Sequence, residues 1–200
     1  KQHRYIKDQA EMDAYLIEEG SAEASLELAS GEVRAGLDLQ GLVRDAKAFR
    51  AGVDRLSQRA PAFAIEQSAL AGLFDEHAEE AAAAHAAARF DLYAEEGDGP
   101  WSGGPGAQGA VAFERVRRAV TEKIVLEEPL IRSLDARRLA ERAAAFEGLF
   151  DKPAVFRRKD KATTIRGPLD LLDAVLDAGK KGIAIQRYKG LEEMIPEQLW

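Results

Sequence analysis

Arg157, Arg158 and Lys159, followed by Lys161 and Arg166, form a dense run of positive charge. Side chains of this kind can neutralise nucleic-acid phosphates without reading base sequence. Arg115, Arg117 and Arg118 make a second group beside an expected strand end. Arg137, Arg138 and Arg142 make a third, interleaved with Asp135 and Glu141. The plain alternative for each group is a solvated surface. A last constellation, Arg187-Tyr188-Lys189 before Gly190 and Leu191, would set cations at a sheet edge, where a glycine lets a partner's backbone come close.

Other chemistries find no support. His77 and His85 lie eight residues apart, about 12 Å of helical rise, with no third ligand at a suitable spacing. The loop from Gly97 to Gly109 lacks the Gly-Lys-Ser/Thr ending of a phosphate loop, and its prolines remove amide donors, so it reads as a mobile hairpin loop. Acidic pairs such as Glu79-Glu80 and Glu95-Glu96 are ordinary on solvated faces, and no Ser/His/Asp or Cys/His set can be assembled. The chain is therefore expected to hold no catalytic residue, metal ligand or cofactor of its own.

The bulk numbers agree with a globular domain. Two hundred residues with 46% hydrophobic content can pack a core. The apolar stretch Ala81–Ala88 is interrupted by His85 and too short to span a bilayer, and no signal peptide is visible. The absence of cysteine excludes disulfides and fits a reducing cytoplasm. Starting at Lys1 without Met and ending at Trp200 inside an amphipathic pattern, the chain is expected to be a piece of a longer protein. The first 110 residues carry 10 basic against 20 acidic side chains, the remainder 18 against 15. An acidic body argues against coating nucleic acid, while the basic second half leaves room for a local contact.

The elements that must position these residues read as follows. Asp8 caps a helix to Glu19, with Glu11 at the capping-box position. Short strands at 24–28 and 32–37 form a hairpin across Gly31. Gly41 to Arg59 is the clearest amphipathic helix, followed by Ala-rich helices at 62–73 and 76–88. Strands are expected at 89–94, 110–117 and 123–127, then a helix from Pro129 to Phe150. A strand near Val155, a helix from Pro168 to Ala178 stopped by Gly179, and a strand through 182–188 complete the chain. Helices and strands do not alternate regularly, so the expected class is α+β with a small antiparallel sheet.

The segment Gln186-Arg187-Tyr188-Lys189-Gly190-Leu191-Glu192-Glu193-Met194-Ile195-Pro196-Glu197-Gln198-Leu199-Trp200 closely resembles the segment beyond the metal-binding core of the Toprim domain in gyrase B subunits of the type IIA topoisomerase family. Only Glu192 and Ile195 differ, standing where that family has Gly and Asn. The opening Lys1-Gln2-His3-Arg4-Tyr5-Ile6-Lys7-Asp8 resembles the stretch that follows the Toprim core. The interior matches in outline the large insertion found there in many Gram-negative bacteria. The resemblance implies a segment at 1–20 leaving the Toprim core, an insertion domain at 21–166 and a return segment at 167–200.

By the same resemblance, the parent enzyme binds ATP and Mg²⁺, pairs with a gyrase A subunit, and supercoils DNA in the cytoplasm. Its ATPase and acidic metal motifs would precede Lys1, and its tyrosine nucleophile belongs to the A subunit. Arg187, Tyr188, Lys189, Gly190 and Leu191 would support the DNA gate, with Arg157, Arg158, Lys159 and Lys161 adding phosphate contacts. The competing reading makes the acidic first half a protein-docking or regulatory surface without DNA contact of its own.

Overall fold

The computed structural model describes residues 6–192, with side chains described as far as residue 185. Its helices are α1 (Gln9–Ser21), α2 (Gly36–Leu56), α3 (Ala62–Leu70), α4 (Ala82–Phe90), α5 (Glu128–Ile131), α6 (Leu134–Ala143) and α7 (Pro168–Glu192). Its strands are β1 (Ala24–Glu27), β2 (Val33–Ala35), β3 (Ser102–Pro105), β4 (Val111–Arg117), β5 (Val120–Leu126), β6 (Ala154–Arg158) and β7 (Lys161–Ile165). Two antiparallel sheets result, ordered β2-β1-β6-β7 and β3-β4-β5. The class is α+β, as expected.

Local rules explain much of this. Asp8 accepts from the Glu11 amide at 2.9 Å, and the Glu11 carboxylate reaches back to the Lys7 amide at 2.9 Å, fixing the start of α1. In α2, Leu39, Leu42, Val43, Ala46, Phe49, Val53 and Leu56 form the buried stripe, so the helix begins earlier than Gly41 and takes in Leu37. Gly36, at φ 58°, turns the chain from β2 into α2 and ends the strand early.

Four further expectations are corrected. The strand at 89–94 is instead the end of α4 and a 3-10 turn at Asp91–Tyr93, because Ala82, Ala83, Ala86, Ala87 and Phe90 bury one helical face. The loop from Gly97 contains β3, which passes beside α4 where a Cβ at Gly103 would strike the Ala83 carbonyl and the Phe113 ring. The helix at 129–150 breaks at Ser133, whose hydroxyl accepts from the Ala136 amide at 3.1 Å and restarts it as α6. Helix α7 runs through Gly179 and replaces the strand at 182–188, and the unforeseen strand β7 pairs with β6.

Gly179 is a packing residue, not a helix stop. A Cβ there would overlap the Leu16 carbonyl of α1, and one at Gly20 would overlap the Val175 carbonyl of α7. The two glycines face each other across an antiparallel crossing and let the backbones touch. Leu16, Ile17, Leu171, Leu172 and Val175 are buried around it. Outside the contact, Lys47 of α2 reaches Asp13 at 3.6 Å and Arg50 reaches Asp173 at 2.7 Å.

The first turn of α7 is held by a buried carboxylate. Glu66, 1% exposed on α3, accepts from the Leu169 amide at 2.9 Å and from the Tyr93 hydroxyl at 2.8 Å. The negative group thus meets unpaired amides at the positive end of the helix dipole. Gln67 donates to Tyr93 at 3.0 Å and accepts from Arg89 at 2.7 Å, while Arg89 also donates to the Phe150 carbonyl at 2.8 Å. Burial raises the Glu66 carboxyl above the ordinary glutamate range, against the lowering effect of the Leu169 and Tyr93 hydrogen bonds. Burial and the neighbouring Glu66 also raise the Tyr93 phenol.

Gly179→Ala should destabilise the protein by about 1–3 kcal/mol through forced separation of the helices, whereas Gly41→Ala, which meets open space on α2, should stabilise it by up to about 1 kcal/mol. Chemical denaturation of both variants checks the contrast; equal effects of the same sign would refute the crossing. For Glu66, the raised folded-state pKa means the stabilisation is complete below the unfolded value and lost as pH rises through the folded one. Glu66→Gln should therefore gain stability relative to the parent chain as pH rises above the unfolded glutamate value of about 4.3. A pH-independent difference would remove the titration argument.

Candidate nucleic-acid interface

The β6–β7 hairpin carries most of the first basic run, and its strands alternate the charges between faces. Arg157 points away from the core and pairs with Glu27 at 3.4 Å, both side chains about half exposed. Arg158 points the other way. Its guanidinium donates to the Ala22 carbonyl at 3.2 Å, the Ala178 carbonyl at 3.3 Å and the Glu19 carbonyl at 3.3 Å. It places a cation at the C-terminal end of α1 and ties the hairpin to both helices.

Arg166 is also engaged. It donates to both carboxylate oxygens of Asp170, at 2.7 and 3.2 Å, and lies 4.0 Å over the Tyr93 ring. The hydrogen bond to Asp170 raises its pKa further.

Lys159 and Lys161 remain exposed on the hairpin, Lys159 in its turn at φ 55°. Lys161 and Lys181 of α7 line the same groove, and the neighbouring Lys181 ammonium lowers the Lys161 pKa. Lys159 lines that groove too, so three lysines from β6–β7 and α7 share one lining. Lys181 was missed by the sequence reading, because a helix stopped at Gly179 and a strand from 182 leave 180–181 in a connection. The signal was present in Gly179-Lys180-Lys181-Gly182: once α7 is continuous, Lys181 sits one turn beyond Asp177.

The second group is largely neutralised within the β3–β5 sheet. Arg115, 10% exposed in its side chain, pairs with Asp98 at 3.3 Å and Glu122 at 3.1 Å and lies 4.8 Å over the Trp101 ring. Arg117 pairs with Asp98 at 3.1 Å and Glu95 at 3.3 Å. The Glu95 amide and then these arginines hold the Asp98 carboxyl below its ordinary range. Arg118 stays exposed in the β4–β5 turn at φ 52°. In the third group Arg137 reaches the Phe74 carbonyl at 3.4 Å, while Arg138 and Arg142 stand exposed one turn apart on α6.

The side chains of Arg187, Tyr188, Lys189, Gly190 and Leu191 lie outside the described residues, as do Glu193 to Trp200 altogether. The backbone places 187–191 on α7, in line with Lys181. His77 stands exposed in a turn and His85 exposed on α4. Among the described residues no group of three or more His, Asp or Glu could hold a metal ion, and no helix is long and apolar enough to cross a membrane.

No protein-family profile matches the chain. Its sequence is 60% identical over all 200 residues to the DNA gyrase B subunit of Caulobacter vibrioides strain NA1000/CB15N, and it covers 24% of that protein. The DNA gyrase B subunit of Rickettsia prowazekii is 26% identical over 98% of the chain, which covers 25% of that relative. Its Campylobacter jejuni counterpart is 36% identical over 44% of the chain, covering 10% of that relative. The chain spans about a quarter of the length of the first two relatives. Identity of this level, sustained from end to end, makes the chain similar throughout to one 200-residue stretch of DNA gyrase B subunits.

Proposed function

We propose that this chain is a non-catalytic insertion region of the B component in DNA gyrase, an ATP-dependent type II topoisomerase that negatively supercoils DNA. It would buttress the DNA gate, steady assembly with the A subunit and contribute phosphate contacts. The observation that carries this reading is that Lys159 and Lys161 of the hairpin share one groove lining with Lys181 of α7, the helix that continues into Arg187–Leu191. Arg158 and Arg166 of the same run brace the fold and Arg157 pairs with Glu27, so the lysines are the groups presented to a phosphate backbone. ATP and Mg²⁺ belong in this reading to other parts of the parent subunit, which works in the cytoplasm. The segments 1–20 and 167–200 would flank the insertion at 21–166 on the Toprim side.

A protein-docking role for the acidic first half is favoured by a different observation: Glu76, Glu79 and Glu80 stand exposed together in the α3–α4 connection. Deletion separates the two readings. In a complete gyrase assembled from both components, replacing residues 21–166 by a short linker should reduce DNA binding and supercoiling while ATP hydrolysis by the N-terminal domain persists. Survival of both activities would favour docking. The lysine assignment has its own test. The triple variant Lys159→Gln, Lys161→Gln, Lys181→Gln should lower the salt slope of DNA binding by about 1 per lost phosphate contact, and an unchanged slope would remove these lysines from the interface.

A further inference from the structure

A groove of about 570 Å³ opens between the inner face of the β6–β7 hairpin and α7. It falls in the size range of small-molecule sites, roughly 300–1,000 Å³, which are mostly apolar with a few placed polar groups. Phe156 and Thr163 line it from the sheet and Ala174 and Ala178 from the helix, with Ile185, 45% exposed, at the rim. The small alanines on α7 keep this face open where larger residues would close it on the sheet.

The charges on the lining are unequal in their freedom. Asp173 pairs with Arg50, Asp170 with Arg166, and Arg158 is bonded to three carbonyls. Lys161 and Lys181 instead approach each other from opposite walls. Asp160 and Asp177 also line the groove, and the charge of Asp177 acts favourably on Lys161 without cancelling the repulsion from Lys181.

We propose that the groove is a binding site for an amphipathic anion, with its apolar body over Phe156 and Ala178 and its carboxylate or phosphate head between the ammonium groups of Lys161 and Lys181. An anion there accepts from both ammonium groups and turns a repulsive pair into two charge-assisted hydrogen bonds. The apolar floor distinguishes this site from a bare phosphate contact, because it rewards a hydrophobic body that inorganic phosphate lacks. The inference does not rest on the DNA reading: a cleft of this size excludes a duplex, and its ligand is recognised by both halves of the groove.

The test uses the full chain with anilinonaphthalene sulfonate as the probe, followed by fluorescence and by amide NMR shifts. Saturation at one site is expected, with shifts concentrated on Thr163, Ala174, Ala178 and Lys181, and with displacement by decanoate or phenyl phosphate. The stronger of the two competitors names the head group, and displacement by neither overturns the proposal. Lys161→Gln with Lys181→Gln should weaken binding about tenfold or more, and Asp177→Asn should tighten it. Thr163→Phe, which fills the groove, should abolish it while unfolding remains cooperative. Equal affinity in the lysine double variant, or inorganic phosphate binding as tightly as the probe, would overturn the site. Should Thr163→Phe fail to fold, the lysine and Asp177 variants, all at exposed positions, still decide the question.

Discussion

The backbones of α1 and α7 touch at Gly20 and Gly179, and the geometry of the molecule's base depends on that contact. Side chains on either helix at these points would push the axes apart. With the helices in contact, the carbonyls at Glu19, Ala22 and Ala178 come within reach of one guanidinium, that of Arg158. The β6–β7 hairpin is thereby attached to both helices at once, and β6 in turn pairs with β1, which directly follows α1. A single close approach thus fixes the sheet, the hairpin and the groove between hairpin and α7. The buried Glu66 carboxylate holds the other end of α7, so the helix is tied at its first turn and at its middle by unrelated forces.

The division of labour between arginine and lysine follows from their chemistry. A guanidinium presents a rigid fork of donors suited to carbonyls, carboxylates and aromatic faces, and Arg158, Arg115 and Arg166 each bind several such partners. Their desolvation is offset by hydrogen bonds already present in the fold. Lysine, a strongly hydrated point charge on a flexible stem, is left at the hairpin turn and the mouth of the groove. The basic run read from the sequence is therefore one cluster in the chain but two populations in space: the guanidiniums of Arg158 and Arg166 bound to protein groups, and the ammoniums of Lys159 and Lys161 facing solvent, with Arg157 half exposed beside Glu27. Only the second can exchange water for an external anion at little structural cost.

This division also explains what the sequence could reveal. The α2 stripe and the Asp8–Glu11 cap were legible because they depend on near neighbours in the chain. The continuation of α7 past Gly179 was not, because the glycine has its role only when Leu16, distant in sequence, lies against it. In isolation a glycine after a helical run reads as a stop. Strand β7, Lys-Ala-Thr-Thr-Ile, is half polar, and its β-branched residues gain their meaning from pairing with β6. The arginine and lysine roles were likewise hidden, since sequence order shows charge but not the carbonyls that a guanidinium will meet. The family resemblance of the chain's ends, by contrast, required no fold at all.

Continuity of α7 changes how the two ends of the candidate interface relate. A helix of 25 residues spans about 37 Å and joins the Glu66-capped first turn, the glycine crossing and the Lys161–Lys181 pair to the segment at 187–191. Had a strand begun at Gly182, the hairpin lysines and that segment would be joined through a loop, with their relative placement set by sheet pairing elsewhere. On one helix, Lys181 and residue 187 are separated by a rise of about 9 Å, with the α-helical ladder fixing their relation. The glycine crossing is thus the closest packing in the base, and beside it Arg158 joins the hairpin to the Ala178 carbonyl of the helix that runs on into 187–191.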